Sequence, residues 1–456
     1  MKVSPVFKEV GTILRYVSFI FLLPVLISLI YRETDNIIPF VILFVLTFFI
    51  SFVMIKLPQR DNKKMKLRQS LVTIVVLWIT VTLLGSIPFM WIVGMSFIDA
   101  FFESISSWTT TGFTLLNPET LSHTILFWRS LGQWLGGLGI VVLALNGLLK
   151  VGITLYTAEG RDERIQPNII NTTKTIWWVY CLYTFIGIVL LTALGMPVFD
   201  SVNHTMTAIA TGGMSTRAES VGAFVSVPVY IVLMSFMILG NISFLSHYRL
   251  LTGKVKEFIR DIQNRIVFLI LTVAIIAVLP FNDIMSSSFH VISAMGTGFQ
   301  ISGLDMWNDF SLFILIVVMI LGGAAGSTAG GIKSIRVAVL SRSIYNNVKK
   351  LLLPKRIFRQ GIGGAVFKDE EVYEVYRYSM LYIILFAVAS VVLMATGYTV
   401  MESMFSVASA QGNVGLSIVS EFNIVSKITL MIVMIAGRLE IWSVLVLLGY
   451  IFAKRS

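Results

Sequence analysis

The chain is poor in the residues that carry redox and metal chemistry. Its 456 residues include one cysteine and four histidines. Cys181 lies in an apolar run, so no intramolecular disulfide can form and thiol redox chemistry has no second partner. His123, His204, His247 and His290 are scattered with no i, i+4 pair, which argues against a metal centre. Charge is scarce too: Asp, Glu, Lys and Arg make up 13% of the chain, against roughly a quarter in soluble proteins. With 56% hydrophobic residues and a mean hydropathy of +0.86, the composition specifies an all-α polytopic membrane protein. No polar segment is long enough for a soluble regulatory domain; the longest expected cytoplasmic connection is about 341–377.

Long apolar runs are what the chain has in abundance. A hydrocarbon core of about 30 Å takes roughly 20 helical residues. Runs of that order fall at 12–31, 37–57, 70–94, 124–149, 175–195, 224–246, 266–281, 310–340, 378–397 and 427–453. Cations gather after the second run (Lys56, Arg60, Lys63, Lys64, Lys66, Arg68) and the sixth (Arg249, Lys254, Lys256, Arg260, Arg265). The eighth is followed by Lys333, Arg336, Arg342, Lys349, Lys350, Lys355, Arg356 and Arg359, whereas the opposite connections hold few, Arg32 and Arg217 among them. This is the positive-inside asymmetry. It assigns the formal charge of +11 to membrane topology, with lipid as the surrounding partner and no nucleic acid. Ten runs set both termini in the cytoplasm, in keeping with Lys2, Lys8, Lys454 and Arg455. A second run follows the first at once with no small-residue cleavage site, so the N-terminus reads as a membrane helix and not a cleaved signal.

After the third, fifth, seventh and ninth runs the chain enters a further apolar segment of about a dozen residues, too short to span. These segments repeat. Asp99, Asp200 and Glu402 each precede a glycine by thirteen residues, in Thr110-Thr111-Gly112, Thr211-Gly212-Gly213 and Asn413-Val414-Gly415. Asp283 precedes the last residue of Gly296-Thr297-Gly298 by fifteen. An acid at the start of a short helix caps free N–H groups and complements the helix dipole, so Asp99, Asp200, Asp283 and Glu402 read as caps. The helix's negative end then faces the membrane centre, and a glycine accepts positive φ so that successive carbonyls point one way. Four such loops about an axis make rings of backbone oxygens able to replace a cation's hydration shell. The chain divides accordingly into an N-terminal helix pair with its basic loop (1–69) and four helix, pore-loop, helix units (70–165, 166–260, 261–365 and 366–456) around a central pore.

The eighth run is interrupted by Gly322, Gly323, Gly326, Ser327, Thr328, Gly330 and Gly331, ending at Lys333. Glycine costs roughly 1 kcal/mol at an interior helix position, and broken backbone at membrane depth persists only where protein buries it or where it lines a water-filled cavity. The stretch is expected beside the polar pathway.

These features resemble the Trk/Ktr/HKT superfamily of potassium transporters, and the extra helix pair resembles its Trk branch. Phe127–Gly139, Ala210–Arg217, Gly326–Lys333 and Gly437–Ile441 carry the likeness, which covers essentially the whole chain. The resemblance implies that Gly112, Gly213, Gly298 and Gly415 are the filter glycines, with the two residues before each supplying the other carbonyls. It implies K⁺ as the transported ion with no cofactor bound by the chain, Gly322–Lys333 as an intramembrane gate, and Arg438 as a charge barrier under the filter. It also implies a homodimer served by a cytosolic ring of nucleotide-binding Trk-type regulatory subunits, in a prokaryotic cell membrane. Two departures stand out: Met214 replaces a common phenylalanine, and Gly296 a usual threonine, which is expected to loosen one wall.

Other readings carry less. Gly326–Ser334 is one residue from a Walker loop, but no buried strand precedes it. An ion-coupled secondary transporter would show inverted halves and several broken helices, where the sequence displays four like-oriented units and one strong break. Glu103 reads as a mouth carboxylate or a solvated one, Arg129 and Arg217 as side chains snorkelling to the interface, and Trp128, Trp134, Trp177, Trp178 and Trp307 as an interfacial belt. The basic stretches at 60–68 and 342–359 serve either partner docking or ordinary membrane anchoring.

Overall fold

A computed structural model of the chain describes residues 4–56, 67–139, 169–353, 360–362 and 365–453. Arg60, Lys63, Lys64, Lys66, Lys355, Arg356, Arg359, Lys2, Lys454 and Arg455 lie outside the described residues, as does 140–149 of the fourth apolar run. The N-terminal hairpin comprises α1 (Ser4–Ile20), α2 (Leu23–Ile30) and α3 (Ile37–Lys56). Its first helix starts eight residues before the apolar run does, and Pro24, with no N–H to donate, sits where α1 gives way to α2. In α3 the inward residues are Pro39, Phe40, Leu43, Thr47 and Ser51, while Ile38, Val45, Phe49 and Phe52 are exposed. Small polar groups (Thr47, Ser51) occur only on the inward face and the outward face is apolar as far as Lys56, which suits a helix that meets lipid on one side and helices on the other. Gly11 allows α1 to approach α3 closely, since a methyl there would meet Met54 Cβ at 2.7 Å.

Four units follow. The first holds α4 (Leu67–Gly85), α5 (Ile87–Ile92), α6 (Phe97–Trp108) and α7 (His123–Leu138); the second α8 (Ile169–Ala193), α9 (Val198–Ile209), α10 (Val227–Asn241), α11 (Phe244–Leu251) and α12 (Val255–Arg260). The third holds α13 (Ile262–Val278), α14 (Ile284–Ala294), α15 (Asp309–Leu321) and α16 (Ser334–Leu352). A small antiparallel hairpin, β1 (Gln360–Ile362) with β2 (Ala365–Phe367), precedes the fourth unit and is absent from the sequence reading. That unit holds α17 (Asp369–Ala395), α18 (Val400–Gln411), α19 (Ile424–Arg438) and α20 (Ile441–Ala453). The short helices α6, α9, α14 and α18 occupy the interior. The helix leaving each unit's loop packs on the next unit's short helix: α7 on α9, α10 on α14, α15 on α18, and α19 back on α6. The arrangement is cyclic.

Five helical stretches among the described residues have the length and apolarity to cross a membrane unaided: Pro5–Ile30, Thr34–Lys56, Arg68–Ile92, Thr172–Ala193 and Asp369–Ala395. Two runs expected to be continuous are broken. The chain turns by 112° between α10 and α11 and by 111° between α19 and α20. At the first break Ser243 accepts from the Ser246 N–H and starts a new helix; at the second Glu440 takes a left-handed φ of 60°. Each break carries a short polar signal, Gly240-Asn241-Ile242-Ser243 and Gly437-Arg438-Leu439-Glu440, enclosed between longer apolar stretches.

The tryptophan reading needs correction. Trp128 is 1% exposed and packs with Phe21, Phe40 and Trp108 at ring distances of 5.3–5.9 Å, joining the N-terminal hairpin to the first unit. Trp307 is buried as well, whereas Trp178 stays exposed. Length placed these rings near run ends; depth inside the bundle is a tertiary property.

The hairpin has a second tie to the first unit. Glu33 accepts from the backbone N–H groups of His123 (2.8 Å) and Thr124 (3.0 Å) and from the Thr124 hydroxyl (2.6 Å), so it satisfies orphan donors at the start of α7. Burial raises its carboxyl, but the bonds from Thr124 and His123 outweigh that and hold it below the usual carboxylate range. Its stabilisation is therefore complete above the ordinary carboxylate pKa and is lost as pH falls through the lowered folded value. Glu33→Gln is expected to lower the melting temperature of detergent-solubilised protein at neutral pH by the equivalent of about 1 kcal/mol, and to flatten the wild-type loss of stability on acidification; parallel curves for both proteins would contradict this.

Candidate functional site

The four glycine loops meet on one axis. Each begins where a short helix ends, and three begin with a non-glycine residue in left-handed backbone: Thr110 (φ 58°), Thr211 (φ 53°) and Asn413 (φ 52°). In those three the chain reverses through Thr111 N–H to Ser106 O (2.9 Å), Gly212 N–H to Thr207 O (2.8 Å) and Val414 N–H to Ser409 O (2.8 Å). These bonds satisfy helix-end carbonyls and re-aim the extended segment that follows. Gly112, Gly213, Gly298 and Gly415 then adopt φ of 94°, 73°, 92° and 93°, a region that disfavours any side chain.

Close approach demands glycine independently. A methyl at Gly112 would overlap the carbonyl oxygen of Gly212; at Gly213, that of Thr297; at Gly298, that of Val414; and at Gly415, that of Thr111. Each glycine therefore abuts the next loop's preceding residue, and the fourth closes on the first. All four open into one outer cavity of about 490 Å³, lined also by Phe113, Met214, Gln300 and Arg217.

The third loop differs. Gly296 stands where the other loops have their left-handed residue, yet it does not take positive φ. Its short helix has eleven residues against twelve in the others, and Thr297 N–H bonds Ser293 O (2.8 Å), a closure one residue tighter than in the other three loops. A methyl at Gly296 would meet Ala329 Cβ at 2.8 Å and Asn241 Oδ1 at 3.0 Å, so the glycine seats this loop against its neighbours.

The cap assignments need refinement. Only Asp283 is itself an N-cap, accepting from Met285 and Ser286 N–H, each at 2.9 Å. Asp99 and Glu402 lie three residues inside their helices, where Ser96 and Thr399 are the caps; Glu402 completes a capping box with Thr399. Asp200 does not cap; it accepts from Thr216 (2.6 Å) and pairs with Arg217 (2.7 Å), pinning the segment beyond its loop. Asp99 pairs with Lys427 at 2.5 Å, tying the first unit to the fourth. Counted from the residue at the cap position (Ser96, Pro197, Asp283, Thr399), the glycines follow after 16, 16, 15 and 16 residues. The irregular third spacing in the sequence thus reflects an acid that moved from the third helical position to the cap itself, plus one deleted residue.

Below the loops, Gly322–Lys333 leaves α15 and crosses under the ring. Gly322, Gly326, Gly331 and Lys333 have φ of 67°, 71°, 82° and 83°. Gly323 O accepts from Ser334 N–H (2.9 Å), Thr328 donates from its hydroxyl to Ile209 O (3.0 Å) and Gly240 O (2.9 Å), and Gly326 O accepts from Phe244 N–H (3.1 Å). The stretch is laced to the broken joint between α10 and α11. A methyl at Gly330 would strike the Gly412 carbonyl, at the end of α18. Ser327, Gly330, Lys333, Asn413, Arg438 and Glu440 border a cavity of about 40 Å³ beneath the ring.

Arg438 gathers these parts. It donates to Thr328 O (2.8 Å), Gly137 O (3.0 Å), Gly136 O and the Thr110 hydroxyl (3.3 Å), which spans the crossing loop, the end of α7 and the first glycine loop. Every predicted filter and gate residue lies in the ring or in the layer under it, apart from the four acids, which sit at the far ends of the short helices.

Other residues matter that the sequence reading passed over or misplaced. Ser106 and Ser293 donate to Phe113 O (2.7 Å) and Phe299 O (2.6 Å), and Ser409 accepts from Gly415 N–H (3.0 Å), bracing three loops from behind. Their recurrence before three of the four glycines, with Thr207 at the matching place in the second loop, is a signal an aligned reading could use. His204 and His290 brace the second and third loops through Ser215 Oγ (2.8 Å) and Ser302 O (3.2 Å), and among the described residues no cluster of three potential metal ligands occurs. Glu103 and Arg129, read as surface groups, form an ion pair of 3.1 Å with both side chains at most 1% exposed. Arg217 is paired as well, to Asp200.

The sequence matches the TrkH family, described as cation transport protein, over residues 39–452. The chain belongs to that family. An uncharacterized cation transporter of Methanocaldococcus jannaschii is 35% identical over 97% of this chain and 95% of its own length. The Trk system potassium uptake protein TrkH of Salmonella typhimurium is 33% identical over 96% of this chain and 97% of its own. The crystal structure of the potassium transporter TrkH from Vibrio parahaemolyticus superposes with a TM-score of 0.87 at 29% identity, covering 98% of this chain and 99% of that one. Family membership and the apolar helices make this a multi-pass membrane transporter and not an enzyme.

Removing one member of the Glu103–Arg129 pair leaves a buried charge without its partner. Glu103→Leu is expected to cost about 3–5 kcal/mol of stability, and the double variant E103L/R129M to cost less than the two single changes combined. Unfolding in detergent measures both; additive losses would show that the pair does not interact.

Proposed function

We propose that the chain is the potassium-translocating subunit of a Trk-type uptake system, with Gly112, Gly213, Gly298, Gly415 and the two residues before each forming its selectivity filter. The closed ring of glycine-to-carbonyl contacts carries this reading, because it supplies the one thing a dehydrated cation needs: several fixed oxygens around a single axis. The ion follows from the relatives, two of which are named for potassium. On this reading K⁺ enters from the 490 Å³ outer cavity and leaves through the layer crossed by Gly322–Lys333.

That crossing loop is the gate in this account. Its glycines fit under the ring, and Arg438 adds a fixed positive charge to the space a cation must pass. The units 70–165, 166–260, 261–365 and 366–456 are its functional quarters, with 1–69 as an added hairpin. The chain works as a homodimer in the cell membrane with both termini cytoplasmic, and a cytosolic nucleotide-binding regulatory subunit moves the gate from outside.

A second reading, an ion-coupled transporter of a small solute, draws support from the two further helix breaks, since such transporters bind substrate at discontinuous helices. The cavity beside the α19–α20 break, about 40 Å³, suits an ion or water and not an organic solute.

Two substitutions test the account. Gly112→Ser strains left-handed backbone and crowds the Gly212 carbonyl, so the ratio of K⁺ to Na⁺ permeability in proteoliposomes should fall; an unchanged ratio would remove Gly112 from the filter. Shortening Gly326–Gly331 should raise rubidium flux in the absence of any regulatory partner, and wild-type flux would end the gate assignment.

A further inference from the structure

Loop two carries glycine at its middle position, Gly212, where the other loops have Thr111, Thr297 and Val414. The reason lies on a different unit. Gln133, fully buried on α7, lies against Gly212 so closely that a methyl there would overlap its side-chain amide. That amide spans the filter glycine: Nε2 donates to Gly212 O at 2.6 Å, and Oε1 accepts from Met214 N–H at 3.1 Å. The two bonds fix the side chain's orientation, because only a donor suits the carbonyl and only an acceptor suits the N–H.

We infer that Gln133 is a positioning residue that sets ion selectivity by holding the second loop's carbonyl oxygen from the neighbouring unit. Gly212 O is the oxygen against which Gly112 packs, so it belongs to the ring of four. A carbonyl has two lone pairs. One is committed to Gln133 Nε2, which fixes the tilt of the Gly212–Gly213 peptide and draws electron density from that oxygen. Since α7 also presents its Gly136 and Gly137 carbonyls to Arg438, Gln133 stands on the helix that joins the ring to the layer below it. This inference rests on the filter reading above.

Gln133→Glu keeps the shape but replaces the donor with a carboxylate oxygen facing Gly212 O; Gln133→Met keeps the bulk and removes both bonds. Each is expected to lower the K⁺ over Na⁺ permeability ratio by about fivefold, the equivalent of one ordinary hydrogen bond, with rubidium flux retained. Should Q133E fail to fold, Q133M gives the same readout. Packing is tested separately: Gly212→Ala should lower the melting temperature in the wild-type background and be relieved in the double variant G212A/Q133A. A wild-type permeability ratio in Q133M, or equal destabilisation by G212A in both backgrounds, would overturn the inference. Gly112→Ser, run alongside, separates the two claims: if it alters selectivity while Q133M does not, the filter stands and the role of Gln133 falls; if neither alters it, the filter reading itself fails.

Discussion

Four glycine α-carbons pressed against four carbonyl oxygens hold the centre of this molecule together. Each contact joins two units of the chain, and each tolerates no side chain, because the backbone is left-handed there and the next loop's oxygen already fills the space. Much else follows from that constraint. The short helices must end at one level, so the distance from the cap position to the glycine is nearly fixed. The helices that leave the loops must pack on the neighbouring unit, since a loop is positioned by two units at once. The outer ion pair of Asp99 with Lys427 secures the joint between the fourth and first units from the other side.

A second constraint comes from the surroundings. Backbone that departs from helix inside a membrane has no water to bond and must find partners in the protein. The crossing stretch from Gly322 to Lys333 meets it through Thr328, through the broken joint at Asn241–Phe244, and through the Arg438 guanidinium. Arg438 is useful there because a guanidinium offers five donors in a rigid fork, enough to satisfy carbonyls from two other elements at once. The breaks in α10–α11 and α19–α20 and the crossing stretch are therefore one interlocked layer beneath the ring, so a movement of any one of them is felt by the others.

How much of this the sequence disclosed depended on whether the signal was local. The glycine triplets, the interrupted eighth run and the acids that start short helices are written in adjacent residues, and the chain brings the triplets to one ring. Other features depend on partners distant in sequence. Glu103 and Arg129 read as surface charges until α6 and α7 bury them together. Trp128 lies near a run end, yet its ring is buried against a hairpin about 90 residues earlier. Gln133 gave no signal of its own, although the unexplained glycine at 212 was its shadow. The break at Asn241–Ser243 escaped because its polar residues are few among apolar ones, and nothing local announces that the Asn241 carbonyl will bond a distant loop, as it does with Ala324 N–H (2.8 Å).

The claim at the centre is that the ring of carbonyls selects and passes a dehydrated potassium ion. Its most direct test is the reversal potential of the purified chain in a planar bilayer, with K⁺ on one side and Na⁺ at equal concentration on the other. The account predicts a clear shift from zero, of the sign that marks K⁺ as the more permeant ion. A reversal potential at zero, or one of the opposite sign, would contradict it.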